Sequence, residues 1–252
     1  MLELDHVSFD VPQDAEPKAK GIREIIHDIS LKVENGRFVV ITGLNGGGKS
    51  TLAKLIAGIE KPTSGRILLD GEDITDLGIT QRARLGIGYA FQQPVRFKGI
   101  EVIDLLRIAS GNKRLNLDQA CGYLSEVGLC AQDYIRREVN ASLSGGELKR
   151  IEIATVLARG SSMSVFDEPE AGIDLWSFQN LIRVFEHLQS QNREGSILII
   201  SHQERILQIA DEIVVLTGGV VSAEGPRDEI LPTLLGTANI ASTCGRLESK
   251  EG

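Results

Sequence analysis

The run Phe38-Val39-Val40-Ile41-Thr42, followed by Gly43-Leu44-Asn45-Gly46-Gly47-Gly48-Lys49-Ser50-Thr51, decides how the rest of the chain is read. Consecutive apolar residues closed by a glycine predict a strand buried on both faces. Leu52, Leu55 and Ile56 then recur at helical spacing, so a strand, a glycine turn and a helix follow one another directly. Gly43 to Ser50 satisfies the spacing of a phosphate-binding loop and stands where such a loop must, between strand and helix. Its glycines let successive backbone N–H groups curl toward a phosphate, while the amino end of the helix adds partial positive charge. In that arrangement Lys49 reaches the outer phosphates and the Ser50 hydroxyl ligates magnesium.

Toward the amino end, Leu2 to Val11 and Arg23 to Val33 alternate apolar and polar side chains, as two half-buried antiparallel strands do. The link Pro12 to Lys20 is polar and expected to be mobile. Toward the carboxyl end, Arg66 to Leu69 and Ile87 to Phe91 read as strands, and helical patterns then run to about residue 159. Ser164 to Phe166 and Ile197 to Ser201 are short apolar strands separated by an amphipathic helix, Leu175 to Gln191. That alternation argues a parallel sheet with crossovers. Glu212 to Leu216 and Val220 to Ala223 read as a hairpin. The expected organisation is an α/β core from residues 1–92 and 160–235, a helical insertion at 93–159 and a loose tail at 236–252.

Composition excludes several classes. With 252 residues, 42% of them hydrophobic and 25% charged, the chain can bury a core without staples and is not disordered. The net charge of −8 repels nucleic-acid phosphates, so no nucleic acid is expected as a partner. The longest apolar runs fall far short of the ~18 residues that a membrane helix needs. No signal peptide or lipidation motif is read, which makes a cytoplasmic location the expectation. Cys121, Cys130 and Cys244 are odd in number and lack C-x-x-C spacing, so neither a disulfide framework nor a zinc site follows. Two buried thiols and one in the tail are expected.

Two further segments carry chemistry. Asp167-Glu168 closes the strand Ser164 to Phe166, at the sheet edge where ligands bind in open α/β folds. There Asp167 would hold the magnesium shell and Glu168 would polarise the attacking water. Leu143-Ser144-Gly145-Gly146-Glu147 opens another helix and makes a second amino-terminal anion site. One chain has little need of two.

Taken in order, Gly43 to Thr51, Gln92, Leu143 to Glu147, Asp167-Glu168, Asp174 and His202 resemble the ABC ATPases over about residues 1 to 225. The resemblance implies an α/β P-loop ABC ATPase core, a mixed sheet with antiparallel amino-terminal strands, and an inserted α-helical subdomain. It further implies hydrolysis of ATP with Mg2+ by a transient ATP-dependent homodimer, in which the P-loop of one copy and Leu143 to Glu147 of another close on one nucleotide. Gln92 would then touch magnesium and report the γ-phosphate to the helical subdomain. Asp174 would bridge the two sites and His202 would contact the γ-phosphate. His6, His27 and His187 have no such placement and are expected to be satisfied or solvated.

Within the family, Ser144-Gly145-Gly146-Glu147-Leu148-Lys149-Arg150, Phe91-Gln92-Gln93-Pro94-Val95 and Arg205-Ile206-Leu207 look like the SufC-type ATPases of iron–sulfur cluster assembly. That branch implies a SufB/SufD-like scaffold protein as partner. Three scattered cysteines agree with an ATPase that supplies force rather than ligands to a cluster, although Cys244 could lend one ligand at a partner interface. Pro169 departs toward the transporter pattern, and the link Pro12 to Lys20 is long. The alternative is the nucleotide-binding subunit of a membrane ABC transporter, which would meet a membrane only through its partner. Most relatives stack an aromatic ring on adenine from the end of the first strand, where this chain has Val11, with Phe9 two residues earlier. Modest discrimination between ATP and GTP is therefore expected.

Overall fold

The computed structural model describes residues 1–12, 22–140, 142–191 and 195–244. In chain order these form β1 (Leu2–Pro12), β2 (Ile22–Val33), β3 (Phe38–Thr42), α1 (Lys49–Ala57), β4 (Ser64–Leu69) and β5 (Glu72–Asp73). Then come α2 (Ile79–Arg84), β6 (Ile87–Ala90), α3 (Val102–Ser110), α4 (Leu117–Glu126), α5 (Ala131–Tyr134) and α6 (Gly145–Arg159). The chain continues through β7 (Met163–Asp167), α7 (Leu175–Gln191), β8 (Ser196–Ile200), α8 (Glu204–Gln208), β9 (Glu212–Thr217), β10 (Val220–Pro226) and α9 (Arg227–Cys244). Most of the link expected to be mobile between the first two strands lies outside the described residues.

The strands divide between two sheets. Antiparallel β2-β1-β4-β5 makes the smaller, and β10-β9-β3-β8-β7-β6 the larger. In the larger, β9, β3, β8, β7 and β6 run parallel and only β10 is antiparallel. The amino-terminal strands expected as part of one mixed sheet thus form a sheet of their own. The physical reason lies in β3, which is apolar on both faces and so needs two cores. Its alternation sends Phe38 and Val40 to one core and Val39 and Ile41 to the other.

The first core lies under the helices, where Phe185 of α7 stands edge-on to Phe38 and Phe166 at centroid separations of 6.2 and 5.1 Å. The second is filled by Leu52, Leu55 and Ile56 of α1 together with Leu2 and Leu4 of β1. So the helix that follows the glycine loop is buried between the sheets, which holds its amino end still at the edge of the larger one.

A buried arginine secures the other end of α1. Arg82 on α2 is fully buried and donates from Nη1 to the carbonyls of Leu55 and Ile56, at 2.6 and 3.0 Å. Its Nε and Nη2 reach the Leu77 and Thr75 carbonyls, both at 2.9 Å. Burial pushes its pKa down to about 10, with the Asp73 charge opposing. The terminal carbonyls of a helix lack intrahelical donors and carry partial negative charge, and the guanidinium answers both.

Two expectations fail at the margins. The tail expected to be loose from residue 236 is helical as far as Cys244, since after Gly236 no glycine or proline interrupts it. The thiols expected to be buried are not: Cys121 is half-buried on α4, whose core-facing positions are Ala120 and Leu124, and Cys130 is exposed just before α5.

Candidate active site

The turn out of β3 admits glycine alone at its first position. Gly43 has φ 133°, and a Cβ there would lie 2.0 Å from the Leu216 carbonyl oxygen of β9. The loop then folds on itself, Gly47 N–H donating to the Leu44 carbonyl at 3.2 Å, and α1 starts with Leu52 N–H on the Gly48 carbonyl. Lys49, only 6% exposed, donates from Nζ to the carbonyls of Gly43 and Leu44 at 2.9 and 2.8 Å. Burial lowers its pKa, while the charges of Glu168 and Asp167 oppose that. A phosphate entering the loop offers this ammonium a charged acceptor in place of two neutral ones.

Asp167 ends β7 with its side chain almost wholly buried. One carboxylate oxygen accepts from the Ser50 hydroxyl at 2.9 Å and the other from the Tyr89 hydroxyl at 3.1 Å. Burial raises its pKa, and both hydrogen bonds work against that rise. This donor set fits magnesium, which takes hard oxygen ligands at ~2.1 Å and fills an octahedron with water and substrate phosphates. The 2.9 Å between the two oxygens is also the spacing of adjacent corners in such an octahedron. Among the described residues no three His, Cys, Asp or Glu side chains gather in a group that could hold a metal ion.

The next residue turns sharply. Glu168 has φ 45°, a left-handed conformation rare outside glycine, and its N–H donates to the Ile200 carbonyl of β8 at 3.0 Å. Its carboxylate accepts from Gln92 Nε2 at 2.5 Å. Asn45, Gly46, Gly48, Lys49, Ser50, Thr51, Gln92 and Glu168 all line one cleft of about 540 Å³, together with Glu24, Ile25, His27 and Gly218. Asp167 lies behind that wall and meets it through Ser50.

The remaining expected residues stand elsewhere. Ser144 caps α6, its hydroxyl accepting from Glu147 N–H at 3.3 Å while the Glu147 carboxylate accepts from Ser144 N–H at 2.6 Å. The other Glu147 oxygen accepts from the Tyr134 hydroxyl, and Arg137 lies 3.7 Å away. These partners, Tyr134 foremost, hold the Glu147 carboxyl below its usual range. Asp174 caps α7 through Ser177 N–H and hydroxyl, at 3.0 and 2.7 Å. His202 is exposed just past β8. None of Leu143 to Glu147, Asp174 or His202 is among the residues that line the cleft.

Several residues around the cleft were not anticipated. Tyr89 holds Asp167 from the neighbouring strand. Lys149, 1% exposed, donates to the carbonyls of Phe91 and, at 3.3 Å, Gln92, and pairs with Glu152 at 3.4 Å. Glu152 in turn accepts from Phe91 N–H at 2.9 Å, so α6 grips both backbone groups of the residue before Gln92. The Lys149–Glu152 spacing is legible as one helix face, but nothing in the sequence places that face under Gln92. Val11 and Phe9 are not among the lining residues, whereas His27, expected to be satisfied or solvated, is.

Known proteins agree with this geometry. The ABC transporter family matches residues 26–171. An uncharacterized ABC transporter ATP-binding protein of Methanocaldococcus jannaschii is 39% identical over 218 residues, covering 84% of this chain and 86% of that protein. LptB, the ATP-binding protein of the lipopolysaccharide export system of Escherichia coli K12, is 34% identical, with 85% and 89% covered. Among solved structures, a dimeric ATP-binding cassette in a post-hydrolysis state bound to ADP and Pi superposes with a TM-score of 0.78 at 22% identity, over 90% of this chain and 99% of that one. With a phosphate loop and a strained glutamate facing one cleft, a buried aspartate behind the loop serine, and this likeness over most of its length, the chain belongs to the ABC transporter family as an ATP-hydrolysing cassette that works with ATP and Mg2+.

Proposed function

We propose that the chain is the ATP-hydrolysing subunit of a membrane transporter and acts as a dimer of two copies around shared nucleotides. The observation that carries the dimer is the separation just described. Lys49, Ser50, Gln92 and Glu168 face one cleft with Asp167 behind Ser50, while none of Leu143 to Glu147 at the amino end of α6 is among the residues that line it.

In this reading Gly43 to Thr51 bind the phosphates, with Lys49 neutralising their outer charge. Ser50, Asp167 and Gln92 hold magnesium, which when bound polarises the phosphate oxygens. Glu168 takes a proton from the attacking water, held meanwhile by Gln92. Leu143 to Glu147 and Asp174 of the second copy complete the site, and His202 meets the γ-phosphate. Residues 1–92 and 160–235 act as the catalytic core and 93–159 as the lever that carries its state outward. Two inactive variants test the dimer. Lys49→Ala removes the phosphate grip and Ser144→Arg blocks the facing site. Mixed together they should regain turnover, because each mixed pair rebuilds one whole site. Mixtures as inert as either variant alone would overturn it.

The partner is argued from the relatives, which are named as transporter ATP-binding proteins. In place of the soluble scaffold of cluster assembly that the motifs suggested, they favour an integral membrane partner. The second reading keeps one specific observation in its favour. Glu147 and Lys149, part of the SufC-like signature, are built into the fold through Tyr134 and the Phe91 carbonyl rather than left as surface variation. Affinity purification separates the two: a protein with several membrane-spanning helices supports the transporter, and a soluble scaffold supports cluster assembly. No described helix of this chain is itself long and apolar enough to cross a membrane.

A further inference from the structure

Pairing between β6 and β7 ends at Ala90 opposite Phe166, so Gln92 and Glu168 each follow two residues later and meet, Gln92 Nε2 donating to the Glu168 carboxylate at 2.5 Å. The two are not held alike. Glu168 is tied through its N–H to the Ile200 carbonyl of β8. Gln92 has left the sheet, and among the described residues the backbone hydrogen bonds of residues 91–96 are those made by two side chains of α6. Glu152 accepts from the Phe91 N–H at 2.9 Å, and Lys149 donates to the Phe91 carbonyl and, at 3.3 Å, to that of Gln92. We propose that Lys149 and Glu152 are positioning residues for hydrolysis, a buried charged clamp that sets the Gln92 side chain against Glu168. The clamp rests on the roles proposed above for Gln92 and Glu168, whose meeting it secures.

Nothing in the packing calls for charges at this place. The side chain of Lys149 is 1% exposed and that of Glu152 13%. A cavity of about 150 Å³ that Glu152 lines is otherwise walled mostly by apolar side chains, Phe91, Phe97, Leu148 and Ile151 among them. Burial pushes the Lys149 ammonium down and the Glu152 carboxyl up, each opposed by the charge of the other. Glu152 Oε2 has no hydrogen bond and meets Lys149 Nζ only as an ion pair at 3.4 Å. A buried pair of this kind is often no more stabilising than apolar side chains of the same volume. What apolar side chains cannot do is hold the N–H and the carbonyl of one residue at once. With both groups of Phe91 fixed, the peptide that leads into Gln92 cannot turn, and the Gln92 side chain starts from a set direction.

Stability and positioning separate in Lys149→Met/Glu152→Leu, which replaces the clamp by an apolar pair of similar volume. Phe91 is half-buried and Gln92 exposed, so water can reach the freed backbone groups. The variant should melt within about 5 °C of wild type. Its calorimetric affinity for Mg-ATP should be unchanged while kcat falls about 10- to 100-fold, the range that a misplaced catalytic group costs. Gln92→Ala should slow the wild-type chain, yet added to the apolar pair it should cost less than about twofold more, because a Gln92 already out of place contributes little. Glu152→Gln keeps an acceptor for the Phe91 N–H at the same size and should lose no more than about threefold in kcat. Without nucleotide, hydrogen exchange in a peptide spanning residues 88–95 should be faster in the apolar variant than in wild type or Glu152→Gln.

An apolar pair that does not fold, or that loses nucleotide affinity along with kcat, would overturn the proposal by making the two residues a brace for the fold. Unchanged kcat, unchanged exchange, or a Glu152→Gln chain as slow as the apolar pair would overturn it as well. So would losses that multiply when Gln92→Ala is added, since the clamp would then act elsewhere. Should Gln92→Ala leave the otherwise wild-type chain at full speed, the role of Gln92 itself falls and the clamp with it, whereas multiplying losses remove the clamp alone.

Discussion

The cleft at the end of β3 and the amino end of α6 both set glycines at a helix start, yet the fold treats them differently. At the cleft, side chains from β2, α1 and the segments after β6 and β7 arrive from distant parts of the chain and face one volume. At α6, Ser144, Glu147, Tyr134 and Arg137 satisfy one another locally. The first is a site with its chemistry assembled. The second is a surface made rigid in advance, which in the proposed dimer would face the nucleotide of the other copy. An anion site is complete only when something besides a helix end faces it.

That contrast breaks most visibly at the catalytic carboxylate. Glu168→Gln should retain ATP binding and lose ~10² to 10⁴ in turnover, as expected when a general base is removed, while dimers accumulate with ATP on size-exclusion chromatography. Normal turnover would remove Glu168 from its role. Next in size, Arg82→Ala leaves the Ile56, Leu77 and Thr75 carbonyls without their side-chain donor, while the Leu55 carbonyl keeps Gly58 N–H. It should cost roughly 3 kcal/mol in chemical denaturation, from several buried groups left unsatisfied. The cleft would suffer with it, because α1 carries Lys49 and Ser50.

Two tyrosines sharpen the comparison, each donating its hydroxyl to a carboxylate in one of the regions. Tyr89→Phe frees one oxygen of Asp167 within a buried setting. The Mg2+ concentration that half-saturates nucleotide binding should rise about tenfold, the worth of a hydrogen bond to a charged group, with binding in EDTA unaltered. Tyr134→Phe acts on half-buried Glu147 and should shift only the protein concentration needed for turnover, on the order of threefold, with nucleotide affinity unchanged. Should both variants alter magnesium dependence, the two regions are not separate.

The smallest effect is a pH dependence. Glu170 is buried, accepts from the Ser201 hydroxyl, and has its carboxyl pushed up from 4.5 by burial, an effect that the hydrogen bond and the nearby His202 charge oppose. The folded chain then binds this proton more tightly than the unfolded one. Stability falls as pH rises through the window above 4.5 and is lowest above the folded value. Glu170→Gln cannot ionise, so its melting temperature relative to wild type should be higher at about pH 8 than at about pH 5. An equal difference at both would mean that the carboxyl ionises alike in the two states.

The fold was legible where the signal is local. Gly43 to Ser50 between an apolar strand and a helical repeat announces its own turn, and the acid pair at 167–168 follows a strand short enough to place its end. The helical patterns between 93 and 159 showed in the same way. Residues whose part depends on register between strands stayed hidden. Tyr89 matters because β6 pairs with β7 so that its hydroxyl meets Asp167. Arg82 reads as one more surface arginine of a short helix until α2 is laid across the end of α1.

What the residues alone determined is the phosphate chemistry: glycine backbone, lysine, hydroxyl and carboxylates at set spacing imply the same grip wherever they occur, because the spacing along the chain is itself the geometry. What only the tertiary structure decided is the company those residues keep. The division into two sheets, the burial of Lys149 beneath Gln92 and the arrival of His27 at the cleft all depend on contacts between segments far apart in sequence. No local pattern encodes such contacts, since each is set by how two cores pack around one strand.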